Sequence, residues 1–362
     1  MLDVLANPRG LDSPTSGRCR AGLPPSGAQR AGRRGHQRRL TAFAQRLGRF
    51  PRFICSAVAA GTWGALPPLP VPLGETAAGI LINPKNGANW LVVVGEGNGG
   101  TFLYNTYTGQ WKQGVPRPYA GHHIAAEVIN NRLYLFGGLN AGGNKIQIYD
   151  LATDSWSFGH DLPYAVGSAA TAHIGAYVYL CGGILQSIDD TTDACIRYNT
   201  VTNKWEGGIA SMPHGVNHAA AGTDGKLMYV AGGRDGRNQV GNGFNYLQIY
   251  NPATNSWRLG KALPEGRGGT GKAVVLGRKM YVMGGETRKS GPDGQIKLSG
   301  QRTYYRVDVY DLDRNKWTQD ANMPAPRHGI FPVADRQGNI FVAGGGEKAG
   351  YGQSAVNSYF RP

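Results

Sequence analysis

The sequence predicts an all-β protein: a six-bladed β-propeller of four-stranded antiparallel blades, with the last blade closed by an N-terminal strand. Three observations support this prediction: a Tyr-to-Trp segment that recurs five times, glycine pairs that end apolar runs, and one tryptophan upstream of the first repeat. Glycine also makes up 56 of the 362 residues, about twice its average usage, which indicates many tight turns between short strands.

The recurring segment has eight residues, begins with Tyr followed by Asn or Asp, and ends with Trp. It occurs five times, at 104–111, 149–156, 198–205, 250–257 and 310–317. A glycine pair ends the apolar run before four of these segments, at Gly137-Gly138, Gly182-Gly183, Gly232-Gly233 and Gly284-Gly285. In the first repeat the pair is Gly95-Glu96. Self-similarity at a period of this size indicates stacked structural repeats.

Each repeat supplies the strands of one blade, lettered a to d from the central channel outward. Strand b is the β-branched and aromatic run before the glycine pair, such as 132–136 or 279–283, which suits a buried strand. Strand c ends at the Tyr, the next Asn or Asp favours a tight turn, and strand d carries the Trp. A proline opens the next unit each time: Pro116, Pro163, Pro213, Pro264 and Pro324.

A sixth unit is incomplete at the C-terminus and is predicted to be completed from the N-terminal side. It has a glycine pair, Gly344-Gly345, and a strand that reaches Tyr359, but no Trp follows. Trp63 has no repeat of its own, and Pro70 follows it at the spacing that Pro163 has from Trp156. Residues 61–66 should therefore form strand d of the last blade, a closure that leaves no open sheet edge.

The Tyr–Trp spacing, the glycine pairs and the Trp-to-Pro interval together resemble the kelch repeat over about 300 residues. Glu96 and Arg314 depart from the usual glycine and threonine of the repeat, which should change loops and not the fold. The resemblance implies that the d–a and b–c loops share one face of the propeller and that this face binds ligands.

Residues 1–60 fall outside the repeat pattern, and the propeller is predicted to span 61–362. Residues 1–52 contain eleven arginines against two aspartates and no lysine or glutamate, which gives +9 of the chain's net charge of +15. This composition is typical of a disordered, solvated extension, of an organelle transit peptide within residues 1–55, or of a mis-assigned start codon. No aromatic residues interleave the basic run, so nucleic acid is not the expected partner.

The four cysteines, at 19, 55, 181 and 195, form no CxxC pair and no zinc-site spacing with histidine. Cys181 and Cys195 should face each other across a hairpin, and free buried thiols are expected. Free thiols favour a reducing compartment such as the cytoplasm. Targeting to an organelle by residues 1–55 is the alternative. No run approaches the length of a membrane span.

The candidate binding residues each lie a few residues after a proline near the start of a unit. Arg267, and Arg327 with His328, follow Pro264 and Pro324 by three or four residues. His122 follows Pro118 by four residues, and His218 follows Pro213 by five. These groups should form a partial cationic ring at the channel mouth. Arginine suits carboxylate capture because its planar fork donates two parallel hydrogen bonds. The alternative is that these candidate side chains form hydrogen bonds with loop carbonyls and water.

The long b–c loop of blade 5, residues 286–301, adds Arg288 and Lys289 to the candidate surface. Long loops in compact domains are more often functional than idle. A copper oxidase of the galactose oxidase type is not expected, because adjacent residues of a strand, here His122 and His123, point to opposite faces. No metal or cofactor is expected.

The sequence therefore predicts a non-enzymatic protein-interaction module that binds an acidic segment of a protein partner on the d–a/b–c face. The alternative is a carbohydrate-active propeller, either a sialic-acid epimerase-like enzyme or a sugar-binding protein. An acid/base pair in a narrow pocket would favour sugar chemistry, and a broad basic surface would favour a protein partner.

Overall fold

The computed structural model describes residues 60–96, 98–236, 243–287 and 302–362. Within these ranges the regular secondary structure is entirely β. None of the described residues lies in a helix that could cross a membrane. Arg288 and Lys289 lie outside the described residues, as do residues 1–59, so the predicted N-terminal extension and the basic loop stay predictions.

Six four-stranded antiparallel sheets account for most of the described chain, and each follows the predicted a-to-d order. Blade 1 contains β2 (Gly74–Ile82), β3 (Asn89–Glu96), β4 (Asn98–Asn105) and β5 (Gln110–Gly114). Blade 2 contains β6 (Ala125–Ile129), β7 (Arg132–Phe136), β8 (Ile146–Asp150) and β9 (Ser155–Phe158). Blade 3 contains β11 (Ala170–Ile174), β12 (Tyr177–Cys181), β15 (Cys195–Asn199) and β16 (Lys204–Glu206).

The remaining blades repeat the pattern. Blade 4 contains β17 (Ala220–Thr223), β18 (Met228–Ala231), β19 (Leu247–Asn251) and β20 (Ser256–Leu259). Blade 5 contains β21 (Val274–Leu276), β22 (Lys279–Met283), β25 (Val307–Asp311) and β26 (Lys316–Gln319). Blade 6 contains β27 (Val333–Ala334), β28 (Ile340–Ala343), β29 (Asn357–Arg361) and β1 (Thr62–Leu66).

Two small ribbons extend the b–c loops beyond the blades. In blade 3, β13 (Ile184–Leu185) lies between β10 (Val166–Gly167) and β14 (Asp190–Thr191). In blade 5, β23 (Glu286–Thr287) pairs with β24 (Arg302–Thr303). The b–c loops of these two blades are thus partly ordered by their own backbone hydrogen bonds.

The ring closes as the sequence predicts. Strand β1 pairs antiparallel with β29, and Trp63 lies opposite Phe360. The innermost strands lie side by side around the channel from blade 6 through blades 1 to 5, and a parallel bridge between Thr270 and Ile330 joins blade 5 to blade 6. Both chain ends of the propeller therefore belong to one blade.

The repeat tryptophans connect neighbouring blades. Each indole Nε1 donates to a backbone carbonyl in the d–a connection of the preceding blade, as Trp63 does to Ala321 at 2.9 Å and Trp111 to Pro67 at 3.0 Å. The same bond is made by Trp156, Trp205, Trp257 and Trp317. A buried indole N–H needs such a partner, so the repeated Trp both fills the space between blades and fixes their spacing.

The cysteine expectation is wrong, because Cys181 and Cys195 form a disulfide between strands b and c of blade 3. They are directly opposed residues of adjacent antiparallel strands, a position that brings the two sulfurs together. The argument from free thiols to a reducing compartment therefore no longer holds.

Replacing Cys195 by serine is expected to lower the free energy of unfolding by about 2–3 kcal/mol, because the crosslink restricts the unfolded chain. Urea denaturation of the full chain with and without reductant measures this. The reductant should destabilise the parent protein and leave the Cys195→Ser variant unchanged. A parent protein with equal midpoints in both conditions would contradict the disulfide.

Candidate functional site

The start of strand a in blade 1, and the segment before strand a in the other blades, bring one residue per blade to the loop end of the channel. We call these six residues the inner ring; they are Glu75, His123, Ser168, His218, Gly269 and Gly329. All six have a positive φ, between 38° and 80°, a conformation that non-glycine residues seldom adopt. Four of the six blades nevertheless place a side chain there.

Backbone hydrogen bonds run around the inner ring from blade to blade. Gly329 donates to Gly269 at 2.7 Å, Gly269 to His218 at 2.9 Å, His218 to Ser168 at 3.1 Å and Ser168 to His123 at 2.8 Å. The ring N–H groups of blades 3 to 6 are thus bonded to the preceding blade, and Thr76, next to Glu75, donates to Gly329 at 2.8 Å. These backbone bonds help to hold the positive φ values. The side chains at these positions therefore have defined directions.

Glu75, His123 and His218 converge in the middle of the inner ring. One ligand-type atom from each lies within 4.8 Å of the others, and the imidazoles of His123 and His218 meet edge to face with centroids 4.8 Å apart. They line a cavity of about 30 Å³ together with Ser168 and the ring glycines. That volume holds about two water molecules.

The hydrogen bonds of His218 fix which nitrogen faces the cavity. Asn217 donates through Nδ2 to Thr191 Oγ1 at 2.6 Å, so its Oδ1 is left to accept from His218 Nδ1 at 2.5 Å. His218 Nε2 then carries the lone pair, and Ser168 Oγ lies 3.2 Å from it. The cavity-facing nitrogen is thus an acceptor or a metal ligand.

His122 and His123 do not point to opposite faces, so that part of the sequence argument is wrong. His123 has a φ of 57°, which breaks the alternation of an extended strand. The two Nδ1 atoms contact each other, and His122 Nε2 lies 2.8 Å from Asn140 Nδ2. His123 Nε2 is turned to Glu75 Oε2 at 3.5 Å.

The buried groups of the cluster differ in charge at neutral pH. Burial lowers the pKa of His123 to about 4 and holds the pKa of His218 well below its usual value, with Arg234 adding to the effect on His218. Burial opposes ionisation of Glu75, but the neighbouring imidazoles of His123 and His328 outweigh it and hold its pKa well below the usual range. The site therefore presents one carboxylate and two neutral imidazoles.

A second buried network supports Glu75 from the blade 6 side. His328 Nδ1 lies 3.7 Å from Glu75 Oε1 and 3.6 Å from Glu286 Oε2, and its Nε2 bonds the Lys348 carbonyl at 2.8 Å. Burial would lower the pKa of His328, but the two carboxylates raise it. Glu286 also pairs with Arg234, which neutralises the guanidinium closest to the cluster.

Arg267 and Arg327 do not form an exposed cationic patch. Their exposed fractions are 2% and 0%. Arg267 pairs with the buried Asp308 at 2.8 Å, and Arg327 donates to the carbonyls of Val342 and Gly344 and to Ser358 Oγ. These side chains hold the b–c loops from inside. This agrees with the alternative left open by the sequence, in which the arginines bond loop carbonyls and not a ligand.

The predicted stations fall at three different positions of the blade. Arg267 and Arg327 lie two residues before the inner ring, where the side chain is buried. His122 and His328 lie one residue before it, where the backbone bridges to the b–c loop. Of the five predicted residues that the structure describes, only His218 belongs to the inner ring itself.

A larger cavity lies deeper in the channel, on the far side of the inner ring. Its volume is about 320 Å³, and its walls are the strand a residues of several blades. Lys272 of blade 5 pairs with Glu127 of blade 2 there. In a ring of six, blades 2 and 5 are opposite each other, so this ion pair crosses the channel.

Comparisons with known proteins agree with the architecture. The Attractin/LZTR1 β-propeller family model matches residues 95–350. The chain is 29% identical over 274 residues to Kelch-like protein terF of Aspergillus terreus, covering 72% of this chain and 57% of terF. It is 27% identical over 256 residues to human Kelch-like protein 38, covering 67% of this chain and 39% of that protein.

More distant similarity points to the same fold. Beta-scruin of Limulus polyphemus is 24% identical over 248 residues, which is 68% of this chain and 21% of beta-scruin. The solved structure of YjhT superposes with a TM-score of 0.67 at 16% identity, covering 81% of this chain and 96% of YjhT. The chain thus spans between about a fifth and three fifths of the length of these three curated relatives.

Proposed function

Because the chain belongs to the Attractin/LZTR1 β-propeller family and is a kelch-repeat propeller, we propose that it is a protein-interaction module whose d–a/b–c face binds an acidic segment of a partner. The observation that supports this most directly is a set of exposed apolar side chains on the b–c loops. Side chains of this kind form the centres of protein interfaces.

Three b–c loops each present one large apolar side chain to solvent. Ile188 of blade 3 is 64% exposed, Tyr305 of blade 5 is 51% exposed and Tyr351 of blade 6 is 73% exposed. All b–c loops leave the blades at the same end, so the three side chains belong to one face. Tyrosine is among the residues that contribute most to binding when an interface buries it.

The preference for an acidic segment is carried by the blade 5 loop. Arg302 and Arg306 line a cleft of about 410 Å³ beside Tyr305, together with Glu265 and the amides of Gln319 and Asn322. Arg302 is exposed and pairs with Glu265 at 3.2 Å. An exposed pair of this kind is weak, so a partner carboxylate would compete with Glu265 for the guanidinium.

The carbohydrate alternative receives less support from the geometry. Glu75 and the neighbouring imidazoles provide acid and base groups at the channel mouth, as sugar chemistry would require. The cavity that they line measures about 30 Å³, which is far below the size of ordinary small-molecule sites. A protein segment on the outer rim needs no such pocket.

We expect random peptides selected by phage display on the full chain to be enriched in Asp and Glu. The affinity of a selected peptide should be at least about tenfold lower for the Tyr351→Ser and Tyr305→Ser variants than for the parent protein. A tyrosine buried in an interface commonly contributes more than about 1.4 kcal/mol to binding. Binding should also weaken as salt rises. Fluorescence anisotropy with a labelled selected peptide measures all three effects.

Tyr107 provides the matched control, because it is a solvent-exposed tyrosine in the c–d turn of blade 1, at the opposite end of the propeller. Tyr107→Ser should leave peptide affinity unchanged. Peptides without an excess of acidic residues would contradict the acidic segment. Loss of binding in Tyr107→Ser but not in Tyr351→Ser would contradict the choice of face.

A further inference from the structure

The three converging side chains of the inner ring have the composition of a metal site. We propose that Glu75, His123 and His218 bind a divalent first-row transition metal ion, with Zn²⁺ the best match, at the loop end of the channel. Two imidazoles and one carboxylate with an open position form the ligand set of many zinc centres. The proposal does not depend on the protein-interaction function.

The ligand atoms are already close to the spacing that a metal requires. They lie within 4.8 Å of one another, and zinc bonds of about 2.0–2.2 Å would draw them roughly an ångström closer. The cavity of about 30 Å³ beside them leaves space for one metal-bound water as the fourth ligand.

His218 has the outer hydrogen bond that metal-binding histidines commonly make, in which the ring N–H away from the ion donates to a fixed oxygen. Asn217 bonds His218 Nδ1, and its own amide is anchored on Thr191, so Nε2 faces the cavity. His123 Nε2 also faces the cavity, next to Glu75. Because Asn140 donates to His122 Nε2, His122 donates to His123 Nδ1, and the ion would displace a proton from His123 Nε2. Each ring is thus held with one nitrogen toward the proposed ion.

The backbone gives an independent argument. Glu75, His123 and His218 all have positive φ, a strained state for side-chain-bearing residues that is concentrated at functional sites. Blades 5 and 6 use glycine at the same position, so the fold itself does not require a side chain there. The imidazoles and the carboxylate are retained in spite of the strain.

The surrounding charge is compatible with a cation. Glu75 contributes a buried carboxylate, Arg234 is paired with Glu286, and His328 lies between the carboxylates of Glu75 and Glu286. The expectation that the chain binds no metal rested partly on opposed orientations of His122 and His123, and the structure does not have them.

The test is metal titration of the full chain after removal of bound metal with EDTA. In competition with a chromophoric chelator, the parent protein should bind one equivalent of Zn²⁺. Loss of a residue that hydrogen-bonds to a metal ligand lowers metal affinity by about 10–100-fold. Glu75→Gln and His218→Gly each remove a ligand itself, so each should weaken Zn²⁺ binding by at least about 100-fold. The visible spectrum of the Co²⁺ form should show low-coordinate nitrogen and oxygen ligation.

Two control variants separate ligation from folding. His173→Asn changes a histidine that lines the deeper cavity and should bind Zn²⁺ like the parent. His218→Gly places in blade 4 the residue that blades 5 and 6 already have, so its thermal melting should remain cooperative.

Three outcomes would overturn the proposal. The first is no stoichiometric binding by the parent protein. The second is equal affinity of the parent, Glu75→Gln and His218→Gly. The third is a thiolate-to-cobalt charge-transfer band, which would assign the ion to Cys19 or Cys55 in the N-terminal segment.

Discussion

Deleting residues 1–66 is expected to prevent folding, whereas deleting residues 1–55 should leave thermal melting unchanged. The longer deletion removes β1, so β29 loses its outer partner strand and blade 6 is left with three strands. It also removes Trp63, whose ring packs 5.0 Å from that of Phe360 and whose Nε1 bonds the Ala321 carbonyl. Circular dichroism and thermal melting of the two deletion variants measure the difference.

Trp63→Ala alone is expected to lower the free energy of unfolding by about 3 kcal/mol, at the lower end of the range for buried tryptophans because Trp63 is only half-buried. Trp111→Ala is the matched control, because it loses the same type of indole hydrogen bond. Trp111 belongs to blade 1, whose four strands are consecutive in sequence, so this variant does not affect the closure of the ring through β1. Equal melting of the two deletion variants would contradict closure through β1.

Arg327→Ala is expected to lower the free energy of unfolding by about 3–4 kcal/mol, without any partner being present. The guanidinium is fully buried, and its loss leaves the carbonyls of Val342 and Gly344 and the hydroxyl of Ser358 without this donor. Unsatisfied buried acceptors and the cavity left by the side chain both contribute. Urea denaturation of the full chain measures the loss.

Two further arginine variants sharpen this test. Arg327→Lys keeps the charge but lacks the planar fork, so it should recover only part of the stability. Arg302→Ala, an exposed arginine of the blade 5 ribbon, should change stability by less than about 0.5 kcal/mol. An Arg327→Ala variant as stable as Arg302→Ala would show that the buried hydrogen bonds contribute little.

The repeat architecture could be predicted from the sequence because its signals are local. A Tyr, a turn residue and a Trp within eight positions define two strands, and each glycine pair marks the end of a third. Closure through Trp63 followed from counting, since one blade lacked a Trp and one Trp lacked a blade. The disulfide could not be predicted in this way, because two opposed cysteines in a hairpin are compatible with either redox state.

The site was harder to predict because the candidate residues lie at three different distances from the proline of their d–a connection. The inner ring lies five residues after that proline in every blade, as from Pro213 to His218 and from Pro264 to Gly269, whereas Arg267 lies only three residues after it. A count backward from the small residues of strand a, as in Glu75-Thr-Ala-Ala and His218-Ala-Ala-Ala, would have identified most of the inner ring. The positive φ of His123, which brings it beside Glu75, has no equally direct sequence signal.

The ion pair between Lys272 and Glu127 affects how anything held in the inner ring could leave. It spans the channel below the ring, and both side chains are largely shielded from water, so an ion or water molecule moving that way would have to separate two desolvated opposite charges. The easier exit is through the loop end, between the b–c loops. A partner seated on those loops would lie over that exit and slow the exchange of whatever the ring contains.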